Sequence, residues 1–126
     1  MQKGMTHIET MTVTKNDTAA FYKSGTLEVF ATPAMAALME KTAMNCVAPY
    51  LAEGCATVGT SLEIKHTSAS PLGAEITCEC VLKEIDGRRL VFDVRASDNA
   101  GEIGFGTHER FIINAEKFMK KTAEKI

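Results

Sequence analysis

The sequence predicts an α+β fold in which one long helix lies against an antiparallel sheet. Between residues 32 and 48 the apolar side chains recur at helical spacing, which predicts a single long helix. After Glu53-Gly54 the apolar residues alternate with polar ones for most of the remaining chain, as they do in strands. Short turn sequences such as Asp86-Gly87 separate these alternating segments, so neighbouring strands are expected to run antiparallel.

A first strand is predicted over Met5–Thr14, where apolar residues alternate with threonine and glutamate. Residues 16–26 are polar and rich in turn formers, so they are expected to form a connecting loop or short turns. Residues 75–85 and 88–97 form a predicted hairpin around Asp86-Gly87. Two further strands are expected over 57–66 and 102–113, and residues 115–125 are expected to form a short helix or a frayed tail. A sheet of about five strands cannot cover both the helix and its own outer face, so we expect oligomers.

The long helix has clear start and stop signals. Thr32 is a good N-cap residue, and Pro33 suits the first helical position, where its missing N–H costs nothing. The helix should end near Ala48, because Pro49 disfavours helical geometry in the residue before it. Alanines crowd this helix and would let another surface approach it closely; they are Ala34, Ala36, Ala37 and Ala43.

Length and composition indicate one domain over residues 1–126, with enough apolar residues for one core. A net charge of −2 gives no electrostatic footprint for nucleic acid or an anionic membrane. The lysines of the tail alternate with glutamates, which favours a solvated helix face. No apolar run reaches the roughly 20 residues that cross a bilayer, and no secretory signal is recognisable. We therefore expect a cytoplasmic protein.

The four cysteines are Cys46, Cys55, Cys78 and Cys80, and they form no C-x-x-C pair. There is no paired histidine beside them either, so neither a zinc site nor a thioredoxin-like motif is supported. Reduced, buried thiols are the favoured interpretation, and no metal or cofactor is expected.

Several runs, in matching order and spacing, resemble the fluoroacetyl-CoA thioesterase family. They are Val29-Phe30-Ala31-Thr32-Pro33, Leu38-Met39-Glu40, Val58-Gly59-Thr60, His66-Thr67, Asp86-Gly87-Arg88-Arg89-Leu90 and the late run from Ile103 to Arg110. The resemblance covers about residues 29 to 118. It implies a hotdog fold, in which an antiparallel sheet wraps a long central helix, and a homodimer or higher homo-oligomer whose sheets join with the active site at the interface.

The resemblance also assigns site residues. It implies catalytic roles for Thr32, Glu40 and His66, a backbone N–H at Gly59 that holds the acyl group, and a substrate-site arginine at Arg110. The segment Phe21–Glu28 is shorter and more polar than its counterpart in the fluoroacetyl-specific enzyme, where phenylalanines cover the acyl group. The expected substrate is therefore a small acyl-CoA, and no particular acyl group is predicted.

Each catalytic residue also has a purely structural interpretation. Glu40 lies among apolar helix residues, where partial withdrawal from water would make it more reactive, but it could instead pair with Lys41 or Lys65 on an exposed face. Thr32 could serve as a helix cap alone, and a lone histidine such as His66 is commonly just exposed. His108, inside the late run, is expected to anchor structure.

The expected reaction is hydrolysis of the thioester to free acid and CoA. Glu40 would either attack the acyl carbon, forming an anhydride, or activate water as a general base. Thr32 and His66 would orient Glu40 and support proton transfer. A non-catalytic acyl-CoA-binding module is the main alternative. A hotdog dehydratase is disfavoured, because the helix has no histidine.

Overall fold

A computed structural model describes all residues from 1 to 126. Five strands and three α-helices follow one another along the chain: β1 (Thr6–Thr12), α1 (Ala19–Tyr22), α2 (Thr32–Val47), β2 (Cys55–His66), β3 (Glu75–Asp86), β4 (Arg89–Asp98), β5 (Gly101–Asn114) and α3 (Ala115–Ala123). Two 3₁₀ turns, Lys15–Asp17 and Ala48–Tyr50, lie before α1 and after α2. The predicted ends of each strand lie within two residues of the observed ends. The α+β prediction is therefore confirmed.

The five strands form one antiparallel sheet in the order β1-β3-β4-β5-β2. Helix α2 packs on one face of this sheet, with its most extensive contacts to β3 and β1. Strands β1 and β2 are the two edges, so β2 pairs with β5 on one side only. One long free edge therefore runs the length of β2.

The core lies between α2 and the inner face of the sheet. Met35 and Met39 of the helix are fully buried, as are Ile76, Leu82 and Phe92 of the sheet. Alternate burial along β3 matches its alternating sequence, because successive side chains of a strand point to opposite faces. Each such apolar side chain stabilises the fold by roughly 1.5–3 kcal/mol on burial.

The start of α2 differs from the prediction. Ala31 is the N-cap and makes no side-chain cap, whereas Thr32 is the first helical residue and Pro33 the second. The prediction that Thr32 caps the helix is therefore wrong, because its hydroxyl bonds to a residue of β2 instead of the helix amides. The predicted end is confirmed, since the α-helix stops at Val47 and Pro49 lies in the 3₁₀ turn that follows.

The segment expected to form a connecting loop or short turns contains one helical turn, α1. Thr18 is buried, and its hydroxyl accepts a hydrogen bond from the Phe21 amide at 3.2 Å. The turn ends at Lys23, which has a left-handed backbone with φ of 59°. An isolated pairing between Thr18 and Phe30 holds this segment next to the start of α2.

All four cysteines are free; Cys46, Cys78 and Cys80 are buried and Cys55 is partly exposed. The prediction that these thiols are buried is therefore confirmed for three of them. Burial raises the pKa of each buried thiol. None of the helices combines the length and the apolarity needed to cross a bilayer.

Candidate active site

Two of the predicted site residues meet where α2 begins and β2 ends. The Thr32 hydroxyl lies 2.8 Å from Nδ1 of His66, although the two residues are 34 positions apart. The ring of His66 packs edge-on against the buried ring of Phe30, with centroids 6.2 Å apart. The side chain of His66 is thus held by a hydrogen bond on one side and an aromatic contact on another.

The environment of His66 favours its neutral form. Burial lowers the pKa of this histidine below its ordinary value, while the Ser68 backbone raises it in part. Nε2 is buried and has no hydrogen-bond partner. A neutral imidazole beside a hydroxyl can accept or relay a proton, which is the property that a general base needs.

A cavity of about 320 Å³ opens beside the Thr32–His66 pair. Three segments line it: the α1 region, the start of α2 with the residues before it, and the end of β2 with the loop that follows. The lining residues are Ala19, Ser24, Val29, Phe30, Thr32, Pro33, His66, Thr67, Ser68 and Ala69. Its volume lies at the lower end of ligand pockets, which suits a small group.

Glu40 lies on α2 beside Gly59 of β2. A side chain at Gly59 would extend to 3.7 Å from Oε1 of Glu40, 3.4 Å from Nη1 of Arg110 and 3.3 Å from Cε1 of His108. The absent side chain therefore leaves space among a carboxylate, a guanidinium and an imidazole. A β-bulge directly after Gly59 interrupts the β2–β5 register, and bulges are common next to active sites.

Arg110 is buried and tightly held. Its Nε and Nη2 donate to the side-chain and main-chain oxygens of Thr57, at 2.8 and 2.9 Å. Its Nη1 lies 3.2 Å from Nε2 of His108, whose Nδ1 donates to the Ser61 carbonyl at 2.8 Å. Burial lowers the pKa of both Arg110 and His108, and the charge of Glu40 partly opposes this in each. His108 therefore anchors structure, as expected.

The five predicted residues form two groups in one chain. Thr32 and His66 make one candidate half-site, whereas Glu40, Gly59 and Arg110 make the other. Glu40 follows Thr32 by eight helical positions, which separates them by about 12 Å along the axis. Within a single chain the structure therefore does not bring the threonine and the glutamate together.

Glu40 itself is exposed in the single chain, so the expected withdrawal of its carboxylate from water does not occur there. The alternative of a lysine partner is also wrong. Lys41 lies 3.9 Å from Glu9, and Lys65 has no carboxylate within 4 Å. The Glu40 carboxylate thus forms no ion pair within its own chain.

The fold is that of known hotdog thioesterases. A thioesterase superfamily member from Thermus thermophilus has a TM-score of 0.89 and 25% identity, over 98% of this chain and 94% of that one. Together with the wrapped helix and the candidate half-sites, this likeness defines the class as a hotdog-fold thioesterase. The hotdog prediction is confirmed.

More specific likenesses identify the family. The model of the family described as "Fluoroacetyl-CoA-specific thioesterase" matches residues 13–116. The fluoroacetyl-CoA thioesterase of Streptantibioticus cattleyicolor is 45% identical over 98 residues, which are 78% of this chain and 70% of that protein. A solved structure of a fluoroacetyl-CoA thioesterase has a TM-score of 0.94 and 37% identity, over 100% of this chain and 98% of that one. The chain belongs to the fluoroacetyl-CoA-specific thioesterase family.

This membership confirms the predicted enzyme class, a thioester hydrolase. Two features of the half-sites escaped the sequence-based reasoning. Thr57 holds Arg110 through two hydrogen bonds, and its sequence position gave no sign of this because the two residues are 53 apart. Phe30 packs on His66, but in the sequence it is only one residue of a run that resembles the family, and nothing there predicts this contact.

Proposed function

We propose that this protein hydrolyses the thioester of a small acyl-CoA to the free acid and CoA, at a site built from two copies of the chain. Thr32 and His66 of one copy would face Glu40, Gly59 and Arg110 of the other. The observation that carries this proposal is the separation of the two half-sites within one chain. Each is incomplete alone, since one has a proton acceptor without a carboxylate and the other a free carboxylate without the Thr–His pair.

The free edge of β2 supports a symmetric dimer. An edge strand presents unpaired N–H and C=O groups that can bond to a second strand. Two antiparallel β2 strands related by a two-fold axis between Leu62 and Glu63 would bring His66 of one copy opposite Gly59 of the other. Most soluble homo-oligomers have such two-fold interfaces. The same pairing would bury Glu40, which is exposed in the single chain.

The chemistry follows from the protonation states of the two half-sites. Nδ1 of neutral His66 lies 2.8 Å from the Thr32 hydroxyl, and the hydrogen bond between them orients that hydroxyl. The Glu40 carboxylate then either attacks the acyl carbon or removes a proton from an attacking water. In the first route the C–S bond breaks, CoA leaves as the thiolate, and water hydrolyses the resulting anhydride. In the second, water adds directly and the same bond breaks.

Backbone amides are available for the developing oxyanion. The amides of Thr32 and Ala34 in the first turn of α2 have no hydrogen-bond acceptor, because the helix bonds begin with Met35 donating to Ala31. The amide at Gly59 is the other candidate donor. A helix N-terminus also favours negative charge, so either set would stabilise the tetrahedral intermediate.

A small acyl group fits the cavity of about 320 Å³ beside the Thr32–His66 pair. Phe21 and Leu27 project into solvent, at 58% and 67% exposure, and neither lines this cavity. We therefore propose a small acyl group without restricting it to fluoroacetyl. Four free thiols favour a reducing compartment, so we propose a cytoplasmic location.

The reaction is tested by thiol release from a panel of acyl-CoAs, including acetyl- and fluoroacetyl-CoA, with wild type, Glu40→Ala and His66→Ala. Both variants should lose most of the activity. Equal rates in wild type and Glu40→Ala would contradict the site. Tight acyl-CoA binding without thiol release from the wild type would instead indicate a binding module.

The composite site is tested by mixing the two inactive variants. A mixed dimer of Glu40→Ala and His66→Ala has one site with every residue intact and one with both changes. Random reassociation gives half mixed dimers with one good site each, so activity should recover to about a quarter of the wild-type value. No recovery after confirmed subunit exchange would show that each chain builds its own site.

A further inference from the structure

The loop between β2 and β3 forms one wall of the cavity at His66. Residues 67–69 of this loop line the cavity, and Ser70 behind them is completely buried. Thr67 and Ser68 are tied to the sheet, since both amides donate to the Ile103 carbonyl. The Ile103 carbonyl thus holds the start of the wall, and Ser70 lies at its other end, directly after Ala69.

Ser70 joins this wall to the segment that precedes α2. Its carbonyl accepts a hydrogen bond from the Phe30 amide at 2.9 Å. Phe30 is the residue whose ring packs against His66, and it lies two positions before Thr32. Next to Ser70, Pro71 makes an isolated bridge with Val29. A shift of Ser70 would thus move both partners of the Thr32–His66 hydrogen bond.

The Ser70 hydroxyl is in turn fixed by Asp98, at the end of β4. It donates to Oδ2 of Asp98 at 2.7 Å. The other carboxylate oxygen accepts the amides of Ala100 and Gly101, at 2.8 and 3.2 Å, within the turn before β5. The Ser70 hydroxyl, followed by the Ala100 amide, lowers the pKa of Asp98, so the carboxylate is ionised at neutral pH. Hydrogen bonds to an ionised acceptor are stronger than neutral ones.

We propose that the Asp98–Ser70 hydrogen bond positions the Thr32–His66 pair for catalysis. This inference rests on the proposed function, because it assigns a role relative to that site. Neither residue contacts the cavity beside His66, so both are positioning residues. The connection runs from the β4–β5 turn through the Ser70 hydroxyl and carbonyl to Phe30, and from there to the His66 ring.

The kinetic test compares Ser70→Ala and Asp98→Ala with Asp98→Asn, which keeps an acceptor for the hydroxyl. Asn114→Ala is the matched control, since it removes a capping hydrogen bond at α3 without contacting either half-site. We expect kcat to fall on the order of 10- to 100-fold in the two alanine variants, as for small misplacements of catalytic groups. KM should stay within about twofold, because ground-state binding is unchanged. Asp98→Asn should recover much of the loss.

A second readout does not depend on turnover. NMR titration of the His66 ring, assigned with His66→Asn, should give a higher pKa in Ser70→Ala than in wild type, because a loosened wall admits water to the buried ring. Asn114→Ala should leave it unchanged. A folded Ser70→Ala with wild-type kcat, or with an unchanged His66 titration, would overturn the inference. If wild type releases no thiol from any acyl-CoA, the proposed function fails, whereas the titration still tests the coupling between Ser70 and His66.

Discussion

At the scale of single residues, the hydroxyl of Thr32 has two possible partners. Helix amides are the usual partners of a threonine at a helix start. Here the hydroxyl lies 2.8 Å from the His66 ring, and no side chain caps the helix. We therefore expect the residue to contribute to the proposed site and little to the stability of α2.

Replacing Thr32 with alanine should therefore reduce activity and leave stability almost unchanged. We expect kcat to fall about tenfold, which corresponds to the loss of one hydrogen bond worth ~1.4 kcal/mol. The free energy of unfolding should change by less than about 0.5 kcal/mol, as for exposed residues without special roles. Thr32→Ser retains the hydroxyl and is the control. Denaturant titration of both variants checks this, and a loss of ~1 kcal/mol in Thr32→Ala alone would indicate capping after all.

The pH profile should report the burial of His66. Its pKa lies below 6.5, so the neutral form persists as the pH falls through that value. If His66 must be neutral, kcat/KM should rise with pH and reach half its maximum below pH 6.5. Measuring kcat/KM between pH 4.5 and 8 gives this midpoint. A midpoint above pH 6.5 on the acidic side of the profile would contradict the role of neutral His66.

The residues of the candidate site differ in how far the sequence predicts their contacts. The spacing of apolar residues predicts α2 and hence the positions of Thr32 and Glu40 along it, but no local pattern connects Thr32 with His66, 34 positions away. The family resemblance assigned both residues to one site, but it predicted no hydrogen bond between them. The hydrogen bond between Ser70 and Asp98 had no signal at all, because a serine in a polar loop is expected to be exposed.

At the scale of elements, β2 and β5 approach each other closely at two glycines of β5. A Cβ at Gly106 would lie 2.0 Å from the Glu63 carbonyl oxygen and 2.7 Å from Cα of Ile64. Both are backbone atoms, so no rotamer change relieves the clash. At Gly104 two of the three nearest atoms belong to the flexible side chain of Met35.

Gly106→Ala should consequently destabilise the protein by about 3 kcal/mol or more, since the β2–β5 backbone must move apart. Gly59→Ala is a suitable comparison, because its Cβ would meet only side-chain atoms at 3.3 Å or beyond. It should cost less than about 1 kcal/mol in stability. Urea unfolding of the two variants measures the difference, and equal losses would contradict the close backbone approach.

The elements themselves were largely predictable, because alternation and helical spacing persist over ten or more residues in most of them. Two local features were not. The single turn of α1 is too short for periodicity to detect, and it is stabilised by the Thr18 cap and by pairing of Thr18 with Phe30. The N-cap of α2 was misassigned to Thr32, since the competing partner, His66, lies on another element.

At the scale of the whole molecule, the free edge of β2 and the two half-sites predict that activity depends on protein concentration. A site shared between copies exists only in the dimer, so activity should follow the dimer fraction by mass action. Specific activity should fall on dilution over the range in which sedimentation shows dissociation. Constant activity per chain in a demonstrated monomer would contradict the composite site, and acyl-CoA should shift dissociation to lower protein concentrations.

The reactivity of the four cysteines reports local unfolding of the core. Cys46, Cys78 and Cys80 are buried between α2 and the sheet, while Cys55 is partly exposed. A thiol reagent reaches a buried sulfur only when the structure around it opens, so labelling rates report local unfolding much as hydrogen exchange does. Cys55 should react first and the other three more slowly. Assays that detect released CoA with the same reagents should therefore show a slow background from the enzyme's own core.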